Sequence, residues 1–185
     1  ILGPCAGGAV YSPALTDFVF VVENTSKMFI TGPNVIETVL GEKISQEELG
    51  GAKVHAEITG NAHFYAKDEK ECFQLIQKLL SFLPANNNEQ PQTITPQLPK
   101  ESFNIENIIP NDPKQPYDVK EIIKAIADDS DFLEVQALFA PNIVIGFGRI
   151  EGETVGFVAN QPLYLAGVLD CDSADKAARF IRFCD

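Results

Sequence analysis

The hydrophobic positions in the first half of the chain predict strands that alternate with helices. A continuous apolar run at 18–22 is rich in β-branched residues, as in a strand buried on both faces. Pro33 suits the first turn of a helix that ends before Gly41. The apolar positions of this helix predict a buried stripe of Val35, Ile36, Val39 and Leu40.

Two more helices follow in the first half. Ser45 and Glu48 have the spacing of a capping box, and Gly50-Gly51 ends that short helix. The segment 67–83 has the clearest helical period, with acidic residues in its first turn. Its apolar face is predicted to contain Phe73, Ile76, Leu79, Leu80 and Leu83.

The second half begins with one helix and then reads as strands. Asp118 and Glu121 predict a capping box and a helix through 127, which buries Ile122, Ile123 and Ile126. β-branched and aromatic residues predict strands at 132–139, 143–150 and 154–159. Asp172 or Ser173 is predicted to cap a last helix, whose shared face is Ala177, Phe180, Ile181 and Cys184.

A proline-rich segment separates the two halves. Seven of the 12 prolines lie between Pro84 and Pro116, together with Asn86-Asn87-Asn88. Such a composition buries little surface, so we expect it to connect two domains, with the boundary near 90–94.

Composition narrows the classes of function. The formal charge of -12 disfavours nucleic acid and anionic membrane surfaces as partners. The four cysteines are widely spaced, which favours reduced thiols over a zinc site or a disulfide framework. No apolar run reaches the roughly 20 residues that cross a bilayer. These features predict a cytosolic or organelle-matrix protein, and the two chain ends predict a segment of a longer polypeptide.

The candidate chemistry lies at the beginning of the chain. Gly3-Pro4-Cys5-Ala6-Gly7-Gly8-Ala9-Val10-Tyr11-Ser12-Pro13-Ala14 connects an apolar strand to a helix. Small residues there expose backbone N–H groups, which can hold negative charge that develops on an oxygen atom. Adjacent glycines also serve tight turns and close packing, so spacing alone leaves both interpretations open.

The same string closely resembles the signature of the carboxyltransferase subunits of biotin-dependent acyl-CoA carboxylases, of the propionyl-CoA carboxylase beta-subunit type. Further segments resemble the family at 28–33, 46–53, 142–149, 158–162 and 175–185. The resemblance implies an α/β, crotonase-like (ClpP/crotonase) fold. It assigns residues 1–90 to the end of a first carboxyltransferase domain and 94–185 to the start of a second.

Site residues follow from the resemblance position by position. The backbone amides of Gly7 and Gly8 would form an oxyanion hole for the enolate, and Ala6 would shape the approach. His63 is a weaker candidate for orienting a loop near the acyl-CoA, because an isolated histidine is more often structural. The second hole and the CoA-binding elements are expected outside this chain.

The resemblance also implies the reaction partners. A carboxyl group would move between carboxybiotin, carried on a separate domain or subunit, and a short-chain acyl-CoA such as propionyl-CoA, with no metal in this segment. Biotin carboxylase and biotin carboxyl-carrier subunits are expected partners, with a homo-oligomer formed through domain pairing.

Several alternatives stay open at this point. Transcarboxylases and the alpha subunits of sodium-pumping acyl-CoA decarboxylases share the half-reaction. Enoyl-CoA hydration or isomerisation would require paired carboxylates near the glycine turn, where Asp17 and Glu23 are poorly placed. A non-enzymatic assembly module is the remaining possibility.

Overall fold

The computed structural model describes residues 1–99, 105–112 and 114–185, which form two compact units. Unit 1 spans Ile1–Ile76 and unit 2 spans Gln77–Asp185. The sequence placed a boundary further along, near 90–94. Assignment of the units to parts of two carboxyltransferase domains stays a prediction.

Unit 1 contains two pairs of parallel strands. Strand β1 (Pro4–Ala6) pairs with β3 (Lys27–Phe29), and β2 (Phe20–Val22) pairs with β4 (Phe64–Ala66). Parallel pairing needs crossover connections, and helices supply them here. The predicted strand at 18–22 is confirmed over its last three residues.

The helical segments of unit 1 are short. They are a 3-10 helix (Gly7–Val10), α1 (Tyr11–Ala14), α2 (Pro33–Leu40), α3 (Gln46–Gly50), α4 (Ala52–Glu57) and α5 (Glu69–Leu80), which extends into unit 2. The capping box of Ser45 and Glu48 is confirmed, with the Glu48 N–H donating to Ser45 Oγ at 3.2 Å. Helix α4 was not predicted from the sequence.

The predicted buried stripe of α2 is wrong. The helix has the predicted ends, but it buries no residue, and Val35, Val39 and Leu40 are 50%, 72% and 65% exposed. The helical period therefore identified the helix but not a core contact. The apolar side of α2 faces away from the unit 1 core.

Helix α5 presents the predicted face only in part. Leu79 is buried as predicted, whereas Phe73 and Leu80 are exposed and Cys72, which was not predicted, is buried. Cys72 packs in a cluster of buried and half-buried apolar side chains, Val22, Ala66, Phe20, Leu75 and Ile76. The small cysteine fits where the helix passes close to the parallel strands.

Unit 2 is built on an antiparallel sheet in the order β5 (Phe132–Val135), β6 (Ile143–Ile150) and β7 (Glu153–Asn160). The three predicted strands are confirmed, although the first ends four residues early. Helices α6 (Ile105–Ile108), α7 (Val119–Ile126) and α8 (Cys171–Cys184) complete the unit. The Asp128 carboxylate accepts the backbone N–H groups of both turn residues, Glu151 and Gly152.

Two predictions about α7 are corrected. In α7, Asp118 caps the helix by accepting the Lys120 N–H at 2.9 Å, but the Glu121 carboxylate pairs with Lys124 instead of completing a box. Ile126 is 42% exposed, and the smaller Ala127 is buried. Helix α7 contacts the sheet on one side only, so Ile126 on its other side remains exposed to solvent.

Helix α8 begins earlier than predicted. Asp170 is its cap and forms a capping box with Ser173, which is fully buried. Ala177 and Phe180 are buried as predicted, whereas Ile181 is 53% exposed. Phe180 packs its ring 5.0 Å from that of Phe147 on β6, which directs the helix face towards the sheet.

Candidate functional site

The glycine turn follows directly from β1. Ala6 is extended (φ -130°, ψ 156°), and Gly7 then takes a left-handed φ of 62°, which strains any other residue. The chain reverses there and enters the 3-10 helix. An ideal Cβ on Gly7 would lie 4.0 Å from the Ile30 carbonyl oxygen, which locates the turn beside the end of β3.

The β1–β3 ladder ends just before the glycine turn. Lys27 N–H donates to Gly3 O at 3.2 Å, and the register pairs Ala6 with Phe29. Pairing with β3 therefore fixes the chain up to the residue that precedes Gly7.

Gly8 is the more accessible of the two glycines. It is exposed, and a Cβ built on it would meet nothing within 4 Å. Its carbonyl accepts the Tyr11 N–H, but the first amides of a helix have no partner inside it. No residue in the described part of the chain accepts the Gly8 N–H, so this amide has no acceptor within the structure.

A cavity of about 410 Å³ lies where β3 leads into α2. Phe29 lines it, and the Phe29 ring would be 3.6 Å from a Cβ on Gly32, the residue that caps α2. We call this cavity the edge pocket. Its other lining residues are Pro33, Asn34, Val35, Ile44 and Gln46. Sequence analysis missed this pocket, although a strand followed by Gly-Pro was a signal for a turn there.

The two histidines are buried and hydrogen-bonded. Val19 N–H donates to His63 Nδ1 at 3.0 Å, so the ring proton of neutral His63 is on Nε2. His55 lies with Nε2 2.8 Å from Met28 O and Nδ1 3.0 Å from Thr59 Oγ1. Both rings connect backbone segments of unit 1. The suggested contact of His63 with acyl-CoA stays a prediction.

Tyr65 was not singled out by the sequence. Burial, followed by the hydrogen bond to the Glu23 carboxylate, raises the pKa of Tyr65 to about 12. The phenol therefore keeps its proton near neutral pH.

The family-typical segment at 160–162 has a structural function. Gln161 is 1% exposed, its Oε1 accepts the Val119 N–H at 3.2 Å, and its Nε2 donates to Asp118 Oδ1 at 2.7 Å. Asn160 Nδ2 donates to Gly167 O, and the Nδ2 of buried Asn142 donates to the carbonyl oxygen of Val168. These amides fix the start of α7 and the loop before α8.

Within the described ranges, no group of three or more His, Cys, Asp or Glu side chains is placed to hold a metal ion. The helices described also include none that is long and apolar enough to span a bilayer.

Comparison with known proteins gives one family. The model for the carboxyl transferase domain matches residues 1–185. Propionyl-CoA carboxylase beta chain from Saccharopolyspora erythraea is 52% identical, and methylmalonyl-CoA decarboxylase subunit alpha from Veillonella parvula is 50% identical, each over 100% of this chain. The chain spans 36% and 37% of those proteins.

Solved structures agree with the sequence relatives. Transcarboxylase 12S, a hexamer whose structure holds hydrolysed methylmalonyl-coenzyme A, superposes with a TM-score of 0.94 at 48% identity. That match covers 100% of this chain and 36% of the other. The α/β, crotonase-like fold expected from the sequence is thereby confirmed. From its match over all 185 residues, the chain belongs to the carboxyl transferase domain family.

Proposed function

We propose that the protein to which this chain belongs transfers a carboxyl group between carboxybiotin and a short-chain acyl-CoA such as propionyl-CoA. The observation that supports this proposal is the Gly8 amide, exposed and without a hydrogen-bond acceptor in the described structure, at the family's glycine turn. The relatives that cover the chain include a carboxylase, a decarboxylase and a transcarboxylase, which share this half-reaction.

The chain contributes a fixed hydrogen-bond donor to the reaction. When the proton next to the thioester carbonyl leaves, negative charge develops on the thioester oxygen. The Gly8 N–H is held in the 3-10 helix before the substrate arrives, because the left-handed Gly7 sets the turn that precedes it. A donor that needs no reorganisation stabilises the enolate more than the neutral thioester. Ala6, exposed just before the turn, leaves room for the approach.

Carboxybiotin supplies the carboxyl group and is a substrate carried by another domain or subunit. The partners we propose are therefore biotin carboxyl-carrier and biotin carboxylase subunits, in a homo-oligomer formed by domain pairing. The proposed setting is the bacterial cytoplasm or the mitochondrial matrix.

The experiment uses a polypeptide of the relatives' full length that carries this chain. Gly8→Val places a side chain in the open space beside the amide, where a Cβ meets nothing within 4 Å, so the fold tolerates it. We expect transfer from malonyl- or methylmalonyl-CoA to free biotin to fall about 10²- to 10³-fold, the usual effect of losing one oxyanion donor. Acyl-CoA binding should remain.

Ala14→Val is the matched control. Ala14 is exposed on α1, so this substitution also adds a bulky side chain, but away from the turn. Unchanged turnover in Gly8→Val would refute the assignment of this amide. A wild-type protein that binds acyl-CoA and the carrier but never transfers the carboxyl group would instead favour an assembly module.

A further inference from the structure

We propose that Cys5 is a positioning residue of the glycine turn: its thiol holds the carbonyl group of Ala9 and thereby keeps the Gly8 N–H in the orientation that the reaction uses. Cys5 acts here through the backbone and not by touching a substrate. This role rests on the proposed function, because Gly8 supplies the hydrogen-bond donor of that reaction.

The Gly8 donor lies in the most flexible part of the turn. Gly7 and Gly8 have no Cβ, so their backbone can adopt more conformations than that of other residues. A donor stabilises an enolate best when it is oriented before the charge develops. The orientation of the Gly8 N–H therefore depends on what fixes the chain on each side of the two glycines.

The chain is anchored on one apolar cluster both before and after the turn. Before the turn, Cys5 pairs with Met28 in the β1–β3 ladder, and its half-buried side chain packs against the cluster that contains Met28. After the turn, Val10 is 6% exposed and belongs to the same cluster. Gly8 and Ala9 lie between these anchors and are exposed, so packing alone does not hold them.

The Cys5 thiol connects the two sides of the turn directly. Its Sγ lies 3.3 Å from the carbonyl oxygen of Ala9, which follows Gly8 in the 3-10 helix. In an α-helix this carbonyl would accept the N–H four residues later, but that residue is Pro13, which has no N–H. The thiol is a weak donor that can take this place. The contact therefore closes a ring that contains both glycines and limits their rotation.

The test compares Cys5→Ala and Cys5→Ser with Cys171→Ala in a polypeptide of the relatives' full length. Alanine removes the donor, whereas serine keeps one at nearly the same place. Cys171 is an exposed cysteine at the start of α8, so its substitution removes a thiol away from the turn. Transfer from methylmalonyl-CoA to free biotin gives kcat and KM, and thermal unfolding verifies that each variant is folded.

We expect Cys5→Ala to lower kcat about three- to tenfold, the effect of one lost hydrogen bond, with the KM for acyl-CoA unchanged. Cys5→Ser should restore most of kcat, and Cys171→Ala should match the wild type. Added to Gly8→Val, Cys5→Ala should cause no further loss, because the donor that it positions is already blocked. An unchanged kcat in Cys5→Ala, no rescue by serine, or losses that multiply in the double variant would overturn the inference.

Hydrogen exchange measured by mass spectrometry tests the same contact without turnover. The backbone amides of segment 6–12 should exchange faster in Cys5→Ala than in the wild type, and serine should slow them again. Equal exchange in all variants would also overturn the inference. Absence of transfer by the wild type would refute the proposed function, and the exchange measurement would still test the Cys5 contact.

Discussion

The connections that follow strands β1 and β7 both contain left-handed residues and a 3-10 helix, but their backbone polar groups differ in hydrogen bonding. The turn after β1 has one left-handed residue, Gly7, and leads into a 3-10 helix. The loop after β7 also contains a 3-10 helix, Leu165–Gly167, but its left-handed residues include Leu165 and Ala166, with φ of 48° and 51°.

Their hydrogen bonding explains the difference. In the loop after β7, Asn142 and Asn160 hold the carbonyl groups of Val168 and Gly167, so the side chains compensate for strained non-glycine residues. At the glycine turn, the side chain that reaches the backbone is a weak donor, the Cys5 thiol, with Sγ 3.3 Å from Ala9 O. The described residues include no acceptor for the Gly8 N–H. One connection is fixed by buried amides, whereas the other offers its backbone to chemistry.

The largest predicted effect comes from a substitution of Gln161, which follows β7 and stabilises the start of α7. Gln161→Leu leaves the buried Val119 N–H without its acceptor and removes one of the two donors to Asp118 Oδ1. We expect the free energy of unfolding to fall by about 3 kcal/mol, from the desolvation of groups left unbonded. Urea denaturation measures it, with Gln77→Leu on the exposed side of α5 as control. Equal losses in the two variants would contradict the support function of Gln161.

The next prediction concerns a second loop of unit 2 that a side chain holds. Lys176 is 2% exposed, and its ammonium donates to the carbonyl oxygens of Gln136, Phe139 and Ala140 at 2.9, 2.6 and 3.2 Å. Burial lowers the pKa of Lys176 to about 8, and the nearby Glu134 carboxylate partly opposes this change.

Because the unfolded lysine has its ordinary pKa near 10.5, the unfolded state binds more protons than the folded state between pH 8 and 10.5. The contribution of Lys176 to stability therefore rises with pH in this window, by about 2 kcal/mol from pH 8 to 9.5. Denaturation of the wild type and Lys176→Met at both pH values isolates the effect, and NMR titration of the Lys176 Nζ checks the pKa directly. If the free energy of unfolding depended on pH equally in the wild type and the variant, the pKa of Lys176 would not be lowered. The hydrogen bonds to the carbonyl groups would then offset the effect of burial.

The smallest predicted changes in the free energy of unfolding come from replacing glycine by alanine after β1 and alanine by glycine after β7. Gly7→Ala forces a Cβ into a left-handed conformation and should lower the free energy of unfolding by about 1 kcal/mol. Ala166→Gly relieves the same strain and should raise it by about 0.5 kcal/mol. Thermal unfolding of both variants gives the comparison. Two changes of the same sign would mean that backbone conformation does not control stability at these turns.

Local signals predicted the elements better than their packing. Ser45 and Glu48 are three residues apart, so their capping box could be read directly. The stripe of α2 had the correct period but no core contact, because a helical period does not say which surface covers it. The edge pocket was missed since Phe29 and Gln46 meet only after α2 and the following loop return the chain.

The sequence by itself determined the family, the glycine turn and most helices and strands, because these depend on residues close together in the chain. Only the tertiary structure decided that β1 pairs with β3 up to Ala6 and Phe29 and that Gly8 is exposed. It also decided that Lys176 meets carbonyl groups 36 to 40 residues earlier. Such contacts depend on where distant backbone segments lie, and neither spacing nor hydrophobic period contains that information.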